Sequence, residues 1–439
     1  MTKPLTSSQA KPLNGSPMIP GDKSISHRSI MLGGIATGKT TIRGLLEGED
    51  VMATAAAMRA MGTTIQKNDD GTWECDGVET LRQPDTKLDM GNSGTSTRLL
   101  MGLIAGHDVS AELTGDASLT KRPMNRVIKP LEQMGIIVQA SEGGRLPLTV
   151  NGSKNITPIE YELPVASAQV KSCVLLAGLS AQGTTSVIET IPTRDHTENM
   201  LRHFGVTLDI EEIDNAQKIS VKGGQLLRGT TIIVPSDPSS AAFPAVAACL
   251  TKDSDITLKN ILMNERRSGV FETLIEMGAN IKIENERIEA GEKVADLHIR
   301  GDQPLKGITV PEARVPSMID EFPILAVAAS CAEGTTYMTG LAELRVKESD
   351  RLLMIAEGLK ACGVNLEMGE ESLTIHGTGT APKGGITVPT ELDHRIAMSF
   401  LILGCISKEP ITVDDGTPIQ TSFPNFIDLM NDLGANISD

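Results

Sequence analysis

Six times along the chain an amphipathic stretch ends in glycine and is followed by a short alternating segment. The copies read AAAMRAMGTTIQ, IKPLEQMGIIVQ, NMLRHFGVTLDI, ETLIEMGANIKI, AEGLKACGVNLEM and DLMNDLGANIS. Their glycines are Gly62, Gly135, Gly205, Gly278, Gly363 and Gly434, at intervals of 73, 70, 73, 85 and 71 residues. Recurrence at near-constant spacing marks a repeated supersecondary unit. Each glycine falls where a helix must stop, a position that favours left-handed backbone.

The front half of the unit repeats as well: a polar loop, an apolar helix, a turn and a strand. SISHRSIMLGGIATGKTTIRG, SAQVKSCVLLAGLSAQGTTSVIE and IDEFPILAVAASCAEGTTYMTG are the clearest copies. TSTRLLMGLIAGHDVSAELTG, SSAAFPAVAACLTKDSDITLKN and HRIAMSFLILGCISKEPITVDD are weaker ones. The predicted unit runs loop, helix A, turn, strand, loop, helix B, glycine, strand, so the fold class is α/β. The A helices are apolar nearly all round, as buried helices are. Helix A runs one way and its strand returns by a short turn, so helix B starts near the end where helix A started. Both helix N-termini of each unit then share one face, where free N–H groups and a partial positive charge favour anions.

Cations and small polar residues gather in those same loops. Before the A helices stand Lys23, Ser24 and Arg28; Asn92, Ser93, Gly94, Thr95 and Arg98; Ser167, Ala168, Gln169 and Lys171. The later copies bring Asp237, Ser239 and Ser240; Asp320 and Glu321; and Asp393, His394 and Arg395. Before the B helices stand Lys121 and Arg122, Arg194, Arg266 and Arg267, and the cluster Lys347, Glu348 and Arg351. Any one serine or aspartate here is explained by helix capping. The whole set is not, because the chain carries a net charge of −16 and has little structural reason to place so many cations at equivalent positions. Guanidinium groups grip phosphate and carboxylate bidentately, which suits a site for small phosphorylated anions.

The net charge also argues against nucleic acid or an anionic membrane as partner. Aromatic residues make up only 2% of the chain, too few for stacking platforms. The six cysteines form no CxxC pair and mostly sit in apolar runs, as reduced buried thiols in a cytoplasmic protein do. No apolar run is long enough to span a membrane, and the first twenty residues contain no signal-like block. The histidines are scattered without metal spacing, so no metal or other cofactor is expected. GGIATGKT, residues 33–40, fits a phosphate-loop pattern, but that pattern needs a strand before it and a helix after it. Here an apolar helix precedes and a strand follows, so nucleotide binding is not expected.

The stretches PGDKSISHR, GNSGTSTR, TGDASLTKRPM, VASAQVKS, TRDHTE, DPSSAAFP, IDEFPILAVAA, ELRVKESDR and DHRIAM run in order from about residue 20 to 426. With them the chain resembles the enolpyruvyl transferases, most closely the branch acting on shikimate 3-phosphate. The branch acting on UDP-N-acetylglucosamine normally has a cysteine in a mobile loop, and TGDASLTKRPM has none. A non-catalytic repeat scaffold would not need the clustered carboxylate and cations of LRVKESDR.

The resemblance implies a two-domain inside-out α/β barrel of six βαβαββ repeats, three per domain around a pseudo-threefold axis. One domain would cover residues 21–235 and the other 1–20 with 236–439, with ligands in the cleft between them. The implied partners are phosphoenolpyruvate and shikimate 3-phosphate, and the implied state is a monomer. By resemblance, Lys23, Ser24, Arg28, Ser167, Ala168, Gln169 and Arg194 would hold shikimate 3-phosphate, with Asp320 and Lys347 reaching it too. Lys23, Gly94, Arg122, Gln169, Arg351 and Arg395 would contact phosphoenolpyruvate. Asp320 would accept the 5-hydroxyl proton, Glu348 would handle the proton at C3, and Lys347 would contact substrate and leaving group. Gln420 and Thr421 stand where one branch of the family carries a phosphoenolpyruvate-binding lysine, so that contact is not carried over.

Overall fold

A computed structural model describes residues 2–439, which divide into two compact units. One is Gly21–Val234 with Glu289–Gly291; the other is Met1–Pro20, Pro235–Ile288 and Glu292–Asp439. Each holds three copies of the repeat and has its own apolar core.

In the first unit the helices are α1 (Lys23–Ile35), α2 (Glu49–Ala60), α3 (Gly94–Ala105), α4 (Asn125–Gln133), α5 (Ala168–Gly178) and α6 (His196–His203). The second has α7 (Pro238–Leu250), α8 (Gly269–Glu276), α9 (Phe322–Cys331), α10 (Arg351–Ala361), α11 (His394–Gly404) and α12 (Phe426–Leu433). Odd-numbered helices are the A helices. They pack against one another at the centre of their unit, α1 and α5 on α3, and α7, α9 and α11 mutually. That position explains their composition: in α9 every residue from Phe322 to Ser330 is buried. The approach is closest where Gly102 of α3 faces the Cys173 carbonyl of α5, a gap that has no room for a side chain.

Each repeat contributes a small sheet with one connection pattern. In the first unit, Thr231–Ile233 pairs parallel with Lys39–Arg43, which pairs antiparallel with Trp73–Asp76, and Thr64–Lys67 closes the edge. Four other sheets also have four strands; around Glu333–Met338 the parallel neighbour shrinks to isolated bridges at Lys306 and Thr309. The strand Leu5–Ser8 lies between Ile411–Val413 and Asn436–Ser438, antiparallel to both. All six repeat glycines have positive φ, from 85° at Gly363 to 121° at Gly434, as expected of residues that end helices and turn the chain into the next strand. The phosphate-loop look-alike falls between α1 and a strand, and its Lys39 pairs with Glu74 on the neighbouring strand at 2.8 Å.

No disulfide is present among the described cysteines, and burial pushes the thiols of Cys75, Cys249 and Cys362 up to about 12. They are packing residues, not nucleophiles. No helix among the described residues is long and apolar enough to cross a membrane.

His107 follows α3, and its Nδ1 lies 3.3 Å from the Leu81 amide. Burial first, then Lys154, lowers its pKa from 6.5 to about 4. The folded state therefore binds fewer protons than the unfolded chain between those values. This stability is fully present above pH 6.5 and is lost as pH falls towards 4, by at most about 3 kcal/mol. His107→Asn should flatten the decline of urea midpoint with pH across that window. An unchanged slope would show that His107 does not carry it.

Candidate active site

In the first unit the helix N-termini converge through side chains. Asp22 caps α1, accepting from the Ile25 amide at 2.8 Å, and Lys23 follows it. Lys23 pairs with Asp50 in the first turn of α2. The Asp50 carbonyl accepts from Thr54 at 3.2 Å and from Ser96 of α3 at 3.4 Å. His27 lies behind, with Nδ1 2.8 Å from Thr54 Oγ1. Burial foremost, then Lys23 and Arg28, holds it well below the ordinary imidazole value. A neutral ring avoids placing another cation beside Lys23.

Arg28 is buried and aimed by three bonds: Nε to Thr197 Oγ1 at 2.7 Å, Nη1 to the Ser24 carbonyl at 3.0 Å, and Nη2 to Ser172 Oγ at 2.9 Å. Its partners come from α1, α5 and α6. One residue along those same helices, Lys171 of α5 meets Glu198 of α6 at 2.7 Å and Glu189 at 2.9 Å, all fully buried. Glu189 also accepts from the Thr193 hydroxyl at 2.7 Å, which anchors the loop carrying Arg194. Lys171 is thus a buried strut, and Arg194 stands partly exposed on the loop it braces.

A second cluster surrounds the start of α3. Ser93 caps it, and Gly94 follows. A Cβ on Gly94 would lie 3.1 Å from Arg98 Nη1 and 3.2 Å from Arg122 Nη1. Arg122 donates to Asn92 Oδ1 at 2.6 Å and Ser118 Oγ at 3.1 Å. Arg98 donates to Gln169 Oε1 at 2.6 Å, and Gln169 donates to Thr95 at 3.1 Å. Ser167 caps α5, leaving Ala168 and Gln169 in its first turn, partly exposed. Two guanidinium groups, a bare glycine and a helix N-terminus together make a small cationic hollow.

The second unit carries an interlocked set of charges. Arg351, first residue of α10 and 1% exposed, donates through Nε to Asp393 at 2.8 Å and through Nη1 to Asp320 at 3.1 Å. Its Nη2 meets Glu348 at 2.5 Å. Burial works against its charge, but Asp393, Glu348 and Asp320 outweigh it, and the pKa lies above the ordinary guanidinium range. Lys347 Nζ lies 3.2 Å from the same Asp320 oxygen. Arg395, in the first turn of α11, donates through Nη1 to the Asp320 carbonyl at 2.9 Å and to Glu321 at 3.1 Å. Among the described residues its Nε and Nη2 have no protein partner, so one edge of this fork is uncommitted. Asp320, Lys347, Glu348, Arg351 and Arg395 therefore form one contiguous group.

Lys23, Ser24, Gly94, Ser167, Ala168 and Gln169 lie at helix starts of the first unit, Arg122 and Arg194 in the loops just before α4 and α6, and Arg28 in the second turn of α1. The supporting residues Asp50, Ser172 and Thr197 are not among the residues singled out from sequence, and Asn92 is singled out there only as a loop residue before α3. Asp50 and Thr197 are in the first turns of B helices, where capping chemistry hides any second use. Gln420 and Thr421 bond within their own turn, to the carbonyls of Pro424 at 3.2 Å and Pro418 at 2.7 Å.

Residues 7–430 match the family model described as EPSP synthase (3-phosphoshikimate 1-carboxyvinyltransferase). A protein named 3-phosphoshikimate 1-carboxyvinyltransferase from Paramagnetospirillum magneticum is 56% identical over 441 residues, covering 100% of this chain and 99% of its own length. A namesake from Rhodospirillum rubrum is 56% identical over 443 residues, covering 99% and 98%. Among solved structures, an EPSP synthase from Acinetobacter baumannii superposes with a TM-score of 0.88 at 48% identity, covering both chains fully. The enolpyruvyl transferase NikO from Streptomyces tendae has a TM-score of 0.74 at 18% identity, covering 100% of this chain and 99% of its own, a likeness of fold alone.

Proposed function

The chain belongs to the EPSP synthase (3-phosphoshikimate 1-carboxyvinyltransferase) family, and from that premise we infer that it transfers the enolpyruvyl group of phosphoenolpyruvate to the 5-hydroxyl of shikimate 3-phosphate. The products are 5-enolpyruvylshikimate 3-phosphate and phosphate, a step of the shikimate pathway. The observation that carries the reading on chemical grounds is the Asp320–Lys347–Glu348–Arg351–Arg395 group, in which carboxylates and cations alternate within hydrogen-bond reach.

The reaction adds the hydroxyl oxygen to C2 of phosphoenolpyruvate while C3 gains a proton. It then expels phosphate from C2 while C3 loses a proton. It needs a group to take the hydroxyl proton, an acid and base at C3, and fixed positive charge for the departing phosphate. Asp320 is suited to the first role, since Lys347 and Arg351 both donate to one of its oxygens and hold its carboxylate in place. Glu348, held by Arg351, is suited to C3. Lys347 is placed to follow the charge as it moves to phosphate. The free edge of Arg395 fits a carboxylate bidentately. In the first unit, Arg28, Ser24, Ser167, Gln169 and Arg194 offer donors for the shikimate phosphate and ring. Gly94 and Arg122, in the hollow at the start of α3, are read with Lys23 as the contacts for phosphoenolpyruvate. Both substrates are small anions, which accounts for so many cations in an acidic chain.

The direct test is phosphate release from phosphoenolpyruvate. It should depend on shikimate 3-phosphate and persist with a chelator present; no release from purified protein would sink the reading. A narrower expectation concerns Gly94→Ala. The added methyl meets two guanidinium groups, so the KM for phosphoenolpyruvate should rise about tenfold or more, with that for shikimate 3-phosphate nearly unchanged. Equal rises would remove the hollow from the phosphoenolpyruvate side.

A further inference from the structure

The fourth repeat contributes DPSSAAFP and NERRSG, yet none of these side chains is needed by the chemistry above. Their arrangement is nonetheless continuous with it. Asp237 caps α7, and buried Arg267, just before α8, reaches Asp237 Oδ1 at 3.2 Å and Ser239 Oγ at 3.0 Å. Because Arg267 can only donate, Ser239 accepts from it and must direct its own proton elsewhere. That proton goes to Glu321 Oε1, in a short bond. The same Glu321 oxygen accepts from Arg395 Nη1 at 3.1 Å. Ser239 is 4% exposed, Arg267 3% and Glu321 1%, so water does not compete for these bonds.

We propose that Ser239 and Arg267, acting through Glu321, are positioning residues that fix the orientation of Arg395 for phosphoenolpyruvate. Donation runs from the Arg267 guanidinium through the Ser239 hydroxyl to the Glu321 carboxylate, where it meets the bond that Arg395 donates from the other side. Nη1 of Arg395 spends its two hydrogens on Glu321 and on the Asp320 carbonyl. That leaves Nε and Nη2, the two-pronged edge, uncommitted among the described residues. The second oxygen of Glu321 is buried with no hydrogen-bond partner, so the anchoring passes through one atom. Losing the Ser239 bond would let the Glu321 carboxylate rotate towards other donors and let Arg395 swing with it.

This rests on Arg395 serving phosphoenolpyruvate, as read above, and the experiment separates the two. Wild-type turnover and the effect of Arg395→Ala report on that reading; the ratios between variants report on the relay. Ser239→Ala should raise the KM for phosphoenolpyruvate about tenfold while the KM for shikimate 3-phosphate stays within about twofold. In an Arg395→Ala background the same substitution should add no more than about a twofold change, because the residue it acts through is gone. Glu321→Gln, which keeps the shape of the side chain, should repeat the split if Ser239→Ala proves too unstable to assay. The relay is overturned by an unchanged phosphoenolpyruvate KM in these variants, by equal rises for both substrates, or by a full additional loss in the Arg395→Ala background.

Discussion

Asp320→Asn should lower kcat by about 10³-fold, the span expected when a positioned proton acceptor is removed. The amide keeps the size and the oxygen that Lys347 and Arg351 reach at 3.2 Å and 3.1 Å, so the loss reports on the proton and not on a hole. It corresponds to about 4 kcal/mol of transition-state stabilisation. Arg351 keeps Asp393 and Glu348, so the fold should tolerate the change and both KM values should move by less than about fivefold. Steady-state kinetics with the urea midpoint as control decides it. A kcat within tenfold of wild type would mean that another group takes the hydroxyl proton, leaving Asp320 as an anchor for its two cations.

Gly102→Ala is expected to have the largest effect on folding. In an exposed helix this substitution would stabilise by up to about 1 kcal/mol, since alanine has less backbone freedom to lose. At position 102 the new Cβ would lie 2.2 Å from the Cys173 carbonyl oxygen and 2.8 Å from the Cys173 Cα. Both are backbone atoms of a central helix, and neither can rotate aside. Separating α3 from α5 would disturb the whole core of that unit, at a net cost of about 3 kcal/mol or more. Urea unfolding followed by circular dichroism should show the loss. A wild-type midpoint would mean that the two helices can move apart freely.

The repeat was legible because its period is long, its glycines are required by backbone geometry, and its A helices are apolar on every side. Gly62 and its five counterparts needed no tertiary knowledge to assign, and all six have the expected sign of φ. The loops were legible as places where anions would be held, because helix starts and cations coincide there. What stayed hidden was pairing. Nothing in the spacing of Lys171 separates a ligand-facing lysine from one sealed between Glu189 and Glu198. Of the three carboxylates that Arg351 meets, RVKESDR holds only Glu348; Asp320 and Asp393 come from elsewhere in the chain. Glu321 and Ser239 lie 82 positions apart and meet only once the A helices pack. Some partners lie within one repeat and others, like Ser239 and Glu321, in different ones, and a period read along one chain says neither which loops fold back on each other nor which copies face each other.

The strand Leu5–Ser8 has a consequence for how the chain is made. Thr6 pairs with Thr412 on one side and Ser438 on the other. The unit formed around Gly21–Val234 has nearly all of its strands as soon as Ile233 leaves the ribosome, and can condense while the rest is still being translated. The other unit begins with an orphan strand that must wait for partners more than four hundred residues later. Until then its amides and carbonyls stay open to water or to any stray strand edge. Ribosome-bound chains should therefore resist protease in the early half well before Leu5–Ser8 gains any protection.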